Sequence, residues 1–349
     1  MPKLFNVNRS RVLRAAVLLS LMTAVVLNSA CGLFRASKRV QVPLLLSPLA
    51  EANKDRLIQE VNRLSTTKSI HGRIDIQFED TSFAAQGLAD KYQQVDGTIT
   101  MQRPGRIYLV IQFSFVDLVE MASDGEHFAI AVFQGDEKYK RFVKGTNSAV
   151  YQKLEPQTQA KIANDGKKSE KQTVSALSNL RPQHLTDALM IRPIDQSAGN
   201  IYAQSQYFQE EPDTGALAKK DARVLRGYYL LEELSPPANN ESRVLRRFWF
   251  DRVSGIRLAR VQTYDERGLL VTDVSYFNER VFGENTTASL PSRVVITRPQ
   301  DQYKLSISYQ EPTSVQLNKP YKPEVFILQN KRQLPEVDLD AQKRITANQ

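Results

Sequence analysis

Tyr303-Lys304-Leu305-Ser306-Ile307-Ser308-Tyr309 alternates apolar and polar side chains without a break. Successive side chains of an extended chain point to opposite faces, so the pattern predicts a strand with one dry face and one wet face. Working outward, strand-length apolar segments recur over residues 244–251, 256–264, 269–277 and 292–297, with Ser254-Gly255 and Asp265-Glu266-Arg267-Gly268 as hairpin turns between them. Further toward the N-terminus, Ile70, Ile74, Ile76 and Phe78 share one face, and Val95, Ile99 and Met101 repeat the pattern. Pro104-Gly105 then turns the chain into Ile107, Leu109, Ile111, Phe113 and Phe115. Asp124-Gly125 predicts a hairpin between 118–122 and 128–133, and Gly135-Asp136 turns into 138–144. Segments 201–209, 223–234 and 325–328 complete an antiparallel meander.

Two stretches switch to a helical period. Ser47-Pro48 offers a cap followed by a first-turn proline, and Leu57, Ile58, Val61 and Leu64 then form one apolar face, so a helix is expected from there to about residue 64. Val174, Leu177 and Leu180, then Pro182 opening Leu185, Ala188 and Leu189, read as one or two short helices. Residues 145–173 lack a regular period and include the polar run 164–171, which reads as a loop. So many strands with so few helices cannot cover both faces of a flat sheet. The expected fold is mainly β (α+β): a large curved antiparallel sheet, or incomplete β-barrel, of about 10–11 strands with a helical lid.

A wide barrel leaves interior room, and apolar walls make that room a site for acyl chains. Ile74, Ile76, Ile99, Met101, Leu109, Ile111 and Phe113 are the proposed wall, with ordinary core packing beneath the helices as the alternative for each. Phe113, Phe115 and Val116, at a strand end, are the candidate membrane contacts, with a buried strand as the alternative. Tyr228-Tyr229 and Phe248-Trp249-Phe250 either rim an opening or pack across strands. Lys167-Lys168 and Arg246-Arg247 either meet lipid headgroups or form solvated faces.

At the other end, residues 1–14 carry Lys3, Arg9, Arg11 and Arg14 with no acid, and residues 15–27 are apolar apart from Ser20 and Thr23. That is a secretory leader, and its apolar run falls short of the ~20 residues a spanning helix needs. Leu27-Asn28-Ser29-Ala30-Cys31-Gly32 follows, with Cys31 the only cysteine of the chain. Three readings follow: a lipoprotein acylated at Cys31, a short uncleaved anchor, or a plain secreted protein. Each of them exports the chain. The domain plan is then a signal peptide (1–30), a tether (31–46), one domain (47–330) and a disordered polar tail (331–349).

Composition excludes several classes. The formal charge of +9 includes four leader cations, so 43 basic residues face 38 acidic ones in the remainder, mixed along the chain rather than clustered as a nucleic-acid stripe. His71, His127 and His184 are far apart and have no metal-type spacing, and no nucleophile elbow, phosphate loop or dinucleotide fingerprint occurs. No catalytic residue, metal or cofactor is expected. A non-enzymatic binding role is the leading expectation, and a filled barrel serving as a structural or interaction lipoprotein of an envelope assembly is the alternative.

Several short motifs resemble one known group. Ile70-His71-Gly72-Arg73-Ile74 after a helix, Gly97-Thr98-Ile99-Thr100-Met101-Gln102-Arg103-Pro104-Gly105-Arg106-Ile107, and Ala122-Ser123-Asp124-Gly125-Glu126 are similar in order and type to the LolA/LolB-like lipoprotein carrier and acceptor superfamily. Phe250-Asp251-Arg252-Val253-Ser254-Gly255-Ile256-Arg257-Leu258, Leu290-Pro291-Ser292 and Leu317-Asn318 resemble its closing strands, so the likeness covers roughly residues 50–328. Cys31-Gly32 likewise looks like a bacterial lipoprotein box, with Asn28 standing where the family usually has an aliphatic residue. The resemblance implies a half-barrel with helical lids that holds acyl chains of lipids or lipoproteins, in lipoprotein sorting. It also implies a palmitate-bearing anchor at Cys31, outer-membrane placement facing the periplasm, and other envelope proteins as partners. The 145–173 insertion and the long polar connections depart from the acceptor's pattern.

Overall fold

The computed structural model describes residues 43–81, 90–91, 94–134, 137, 140–149, 151, 180–215, 222–237, 240–253, 255–284 and 288–341. Cys31, the leader, most of the tether and nearly all of the 145–173 insertion lie outside these residues, as do Lys167-Lys168 and the Gly135-Asp136 turn. Residues 45–349 form one unit.

The first half supplies β1 (Ser69–Asp80), β2 (Val95–Gln102), β3 (Arg106–Phe113), β4 (Val116–Ser123), β5 (His127–Val132) and β6 (Arg141–Thr146). The second half supplies β7 (Ile201–Pro212), β8 (Arg223–Leu234), β9 (Val244–Asp251), β10 (Arg257–Tyr264), β11 (Leu270–Val281), β12 (Ser289–Arg298) and β13 (Tyr303–Tyr309). Each half is an antiparallel meander, β1 through β6 and β7 through β13. The seam between them is β13 against β1, with Leu305 opposite Phe78, Ile307 opposite Ile76 and Tyr309 opposite Ile74. Thus the most regular strand of the sequence lies in the middle of the sheet, its alternate residues Tyr303, Leu305, Ile307 and Tyr309 all buried. The outer strands β6 and β7 do not pair with each other among the described residues, so the sheet is large, antiparallel through both meanders, and open rather than a closed barrel.

Two helices cover one side. In α1 (Lys54–Ser65), Leu57, Ile58, Val61 and Leu64 are buried, the same face the 3.6-residue period picks out. The helix nevertheless starts later than Ser47-Pro48. Asn53 caps it by accepting a hydrogen bond from the Arg56 amide at 3.0 Å, while Leu49 bridges to Val253 and the Ala50 amide donates to the Arg252 carbonyl, which keeps that stretch extended. In α2 (Pro182–Leu189) proline occupies the first turn, and Leu185 and Ala188 face inward. Any helical portion at residues 174–179 lies outside the described residues.

Two other expectations are corrected. Residues 325–328 do not form a strand, because Pro323–Phe326 is a 3-10 turn that buries Phe326. The polar stretch after Asn330, expected to be a disordered tail, supplies β14 (Glu336–Asp338), which pairs parallel with β6. Leu339 is buried beside it, so residues 336–339 belong to the sheet and its core, and only 342–349 fall outside the described residues. The strands are also more numerous than the period alone suggested, because short segments such as 316–317, paired with β1, and β14 are recruited by their neighbours; β7 was expected over 201–209 and runs on to Pro212 by pairing with β8 along twelve positions.

One glycine shows how tightly the central strands sit. A Cβ on Gly97 would meet the Val110 carbonyl oxygen at 2.9 Å and Ile76 Cδ1 at 3.3 Å, so β2 can lie against β3 and the core only without a side chain there.

Candidate functional site

Six of the seven proposed wall residues are deep core: Ile74, Ile99, Met101 and Ile111 fully buried, with Leu109 and Ile76 at 1% and 2% exposure. Phe113 packs at the edge of the same cluster. The helices α1 and α2 lie in that cluster too, so the apolar interior around these residues is filled by its own side chains. A gap of about 20 Å³ bordered by Leu64, Ile70, Leu189 and Tyr276 is too small for an acyl chain. Neither this gap nor the larger cleft described next is lined by any of the seven.

The room lies toward the other half of the sheet, in a cleft of about 360 Å³ between α2 and strands β10 to β12. Its apolar floor is Ala188, Ile191, Val261, Val271, Val274 and Tyr276. Around this floor stand Arg181, Arg192, Arg246 and Arg298, with Asp187 and Asp301. The wall is therefore amphipathic, not uniformly greasy as the sequence led one to expect. Its segments come from residues 147–151, 181–192, 246, 261–276 and 298–301, which no local motif connects. Of the doublet Arg246-Arg247, a headgroup candidate from the sequence, only Arg246 lines this cleft.

Most of these charges have partners. Arg246 lies within hydrogen-bond reach of Glu233 and donates to the Arg192 carbonyl at 3.1 Å. Burial pushes the Glu233 carboxyl up, but the Arg246 hydrogen bond and charge outweigh it, and its pKa ends below the ordinary value. Arg298 holds Asp301 at 2.7 Å and donates to Thr272 Oγ1 at 2.6 Å. Arg192 reaches Asp187 at 3.7 Å. Desolvation nonetheless raises the Asp187 carboxyl above its ordinary value, against the pull of Arg192, Arg298 and Arg246.

Arg181 differs from these. It lies over the Phe128 and Tyr151 rings at 5.2 and 5.1 Å, has no carboxylate pair among the described residues, and leaves Nη1 buried without a hydrogen-bond partner there. Asn147, on the same wall, also leaves Oδ1 buried and unpartnered among the described residues. Its amide orientation is settled by chemistry: Nδ2 donates to the Gly125 carbonyl at 3.0 Å, and a carbonyl can only accept. His184 faces Tyr303 Oη at 2.7 Å, and burial, then Arg298 and Arg181, hold its imidazole well below the ordinary value. It is neutral at pH 7.

The candidate membrane contacts separate by position. β3 and β4 meet in a two-residue turn at Ser114-Phe115, both with positive φ, the backbone of a tight hairpin that follows the sheet's twist. That geometry turns the Phe115 ring outward, fully exposed at 101%, next to half-exposed Val116, whereas Phe113 stays against the core.

Other candidates are accounted for by packing. Tyr229, Phe248 and Phe250 are core, while Trp249 lies on the opposite face between Tyr207 and Tyr228 and donates to Gln262 at 2.9 Å. Arg247 pairs with Glu232. His71 hydrogen-bonds Thr100, and His127 is exposed near Asp124. Among the described residues no helix is long and apolar enough to cross a membrane.

No protein-family model matches the chain. No curated protein matches it either. Several solved structures are similar to it. They include a DUF1329 family protein from Desulfovibrio piger (12% identity, 78% of this chain and 95% of that one, TM-score 0.39). A LolA superfamily protein from Nitrosomonas europaea matches at 12% identity over 80% of this chain and 99% of that one, with a TM-score of 0.38. An outer membrane lipoprotein-sorting protein domain from Vibrio parahaemolyticus matches at 12% identity over 79% and 96%, with a TM-score of 0.38.

Proposed function

We propose that the chain is a non-enzymatic envelope lipoprotein, moored through Cys31, that takes an acyl chain of a lipid or lipoprotein into the cleft beneath α2. The observation that carries this reading is the cleft itself: about 360 Å³ of room over a floor of aliphatic side chains and one tyrosine, beside the packed apolar interior around β1 to β5. That volume is at the lower end of those that hold small ligands, and each buried methylene would contribute ~0.8 kcal/mol. The Phe115 tip supports the reading, because an aromatic ring held in water on a tight turn is suited to enter a bilayer surface and bring the cleft to its cargo.

Native mass spectrometry of gently purified full-length protein, with extraction and identification of copurified lipid, tests it. The expected result is a bound or exchangeable acyl lipid beyond the acyl chains of the anchor itself. A second reading, a filled scaffold of an envelope assembly, is favoured by the packing of Ile74, Ile99, Met101 and Ile111. Spectra showing anchor lipid alone, under conditions where added lipid also fails to bind, would select it.

A further inference from the structure

Arg181 and Asn147 leave complementary needs on one wall. Among the described residues, the arginine has a buried N–H with nothing to donate to and the asparagine a buried carbonyl oxygen with nothing to accept from, and both residues border the cleft that opens over the apolar floor. A buried donor and acceptor left unsatisfied are costly, so a site that presents both is matched by a ligand carrying an anionic oxygen and a hydroxyl together. Charge points the same way. The other cleft arginines are committed to Glu233, Asp301 and Asp187, and Arg181 has no carboxylate pair of its own among the described residues. Its charge is held against the Phe128 and Tyr151 rings, and a guanidinium so placed can make a forked contact to a phosphate.

We infer that the cleft is a headgroup site for an acylated phosphate ester with a free hydroxyl: Arg181 binds the phosphate, Asn147 Oδ1 accepts from the hydroxyl, and the chain lies on Val261, Val271 and Val274. This deepens the proposed function and rests on the cleft being the ligand site. The same phosphate chemistry could come from a lipid or from a soluble phosphate ester, and three probes separate the sources.

The test is calorimetric titration of the purified full-length protein, with probes kept below micelle-forming concentrations. The probes are lysophosphatidic acid with a myristoyl chain, monomyristoyl glycerol, which lacks the phosphate, and glycerol phosphate, which lacks the chain. The expected result is that lysophosphatidic acid binds about tenfold tighter than the monoglyceride, or ~1.4 kcal/mol, and that Arg181→Gln brings the two within about twofold. Arg181→Lys should keep part of the preference. Should Arg181→Gln fail to fold, added salt must weaken lysophosphatidic acid and leave the monoglyceride unchanged.

Equal binding of the two acylated probes by the wild type, or a preference untouched by Arg181→Gln, overturns the headgroup site while the acyl reading stands. Equal binding of lysophosphatidic acid and glycerol phosphate keeps the anion site and removes the acyl reading. If nothing binds, water alone satisfies both atoms and both readings fall.

Discussion

Single residues carry the two chemical sensitivities of this protein. His184 is the first. Its folded imidazole binds a proton only well below the ordinary value, because of burial and then Arg298 and Arg181, whereas the unfolded chain takes up that proton near pH 6.5. Between those two points the unfolded state holds more protons, so stability is full above about pH 6.5 and is lost as the pH falls, by at most ~1.4 kcal/mol per pH unit. His184→Gln keeps a hydrogen-bonding group near Tyr303 without the titration. Denaturant unfolding from pH 7.5 down to pH 5 should therefore show the wild type losing stability relative to the variant, and parallel curves would contradict it. Phe115 is the second. In an unlipidated Cys31→Ala background, itself expected to lose palmitate labelling, Phe115→Ser should lower vesicle binding by ~1.5–3 kcal/mol, roughly ten- to a hundredfold. Because the ring touches no core, the melting temperature should stay within about 1–2 °C; a large drop there would mean that Phe115 is structural.

Elements differ in how far local sequence specifies them. β13 is legible because its central position makes one face dry over its full length, and alternation records that directly. The face of α1 is legible for the same reason, but not its start. Ser47-Pro48 has the chemistry of a helix opening, yet the bridge from Leu49 to Val253 and the Asn53 cap override it, and both depend on partners that local sequence does not show. β14 is the clearest case of a hidden element. Three residues of mixed polarity hold no period, and their place comes from a parallel pairing with β6 nearly two hundred positions earlier, reinforced by Lys144 with Glu336 and by Thr146 with Asp340. If that strand belongs to the sheet, Val337→Pro should break its ladder and cost ~1–3 kcal/mol by urea unfolding, whereas a disordered tail would tolerate the change.

For the whole molecule, one sheet has unequal halves, and the inequality bears on function. Around β1 to β5 the inner face is filled by Ile74, Ile99, Met101, Leu109 and Ile111 against the helices, whereas beyond β10 the same sheet leaves a cleft. The sequence could place apolar residues on the inner face, but filled and open regions look alike in period, since a strand's alternation is the same whether its neighbour is a side chain or a void. What distinguishes them is the long-range placement of α2 and of the arginines around it, Arg181, Arg192, Arg246 and Arg298. Opposite outcomes are thus expected from two substitutions. Ile99→Ala removes packed volume and should cost ~2–5 kcal/mol of unfolding free energy while leaving acyl-lipid binding unchanged. Val271→Trp sits on the partly exposed floor of the cleft, so its added volume goes into existing room. It should change stability by less than ~1 kcal/mol and abolish lipid uptake measured by displacement of a fluorescent fatty acid. If Ile99→Ala rather than Val271→Trp alters uptake, the ligand enters the packed half of the sheet by displacing its own side chains, and the cleft beneath α2 is not the site.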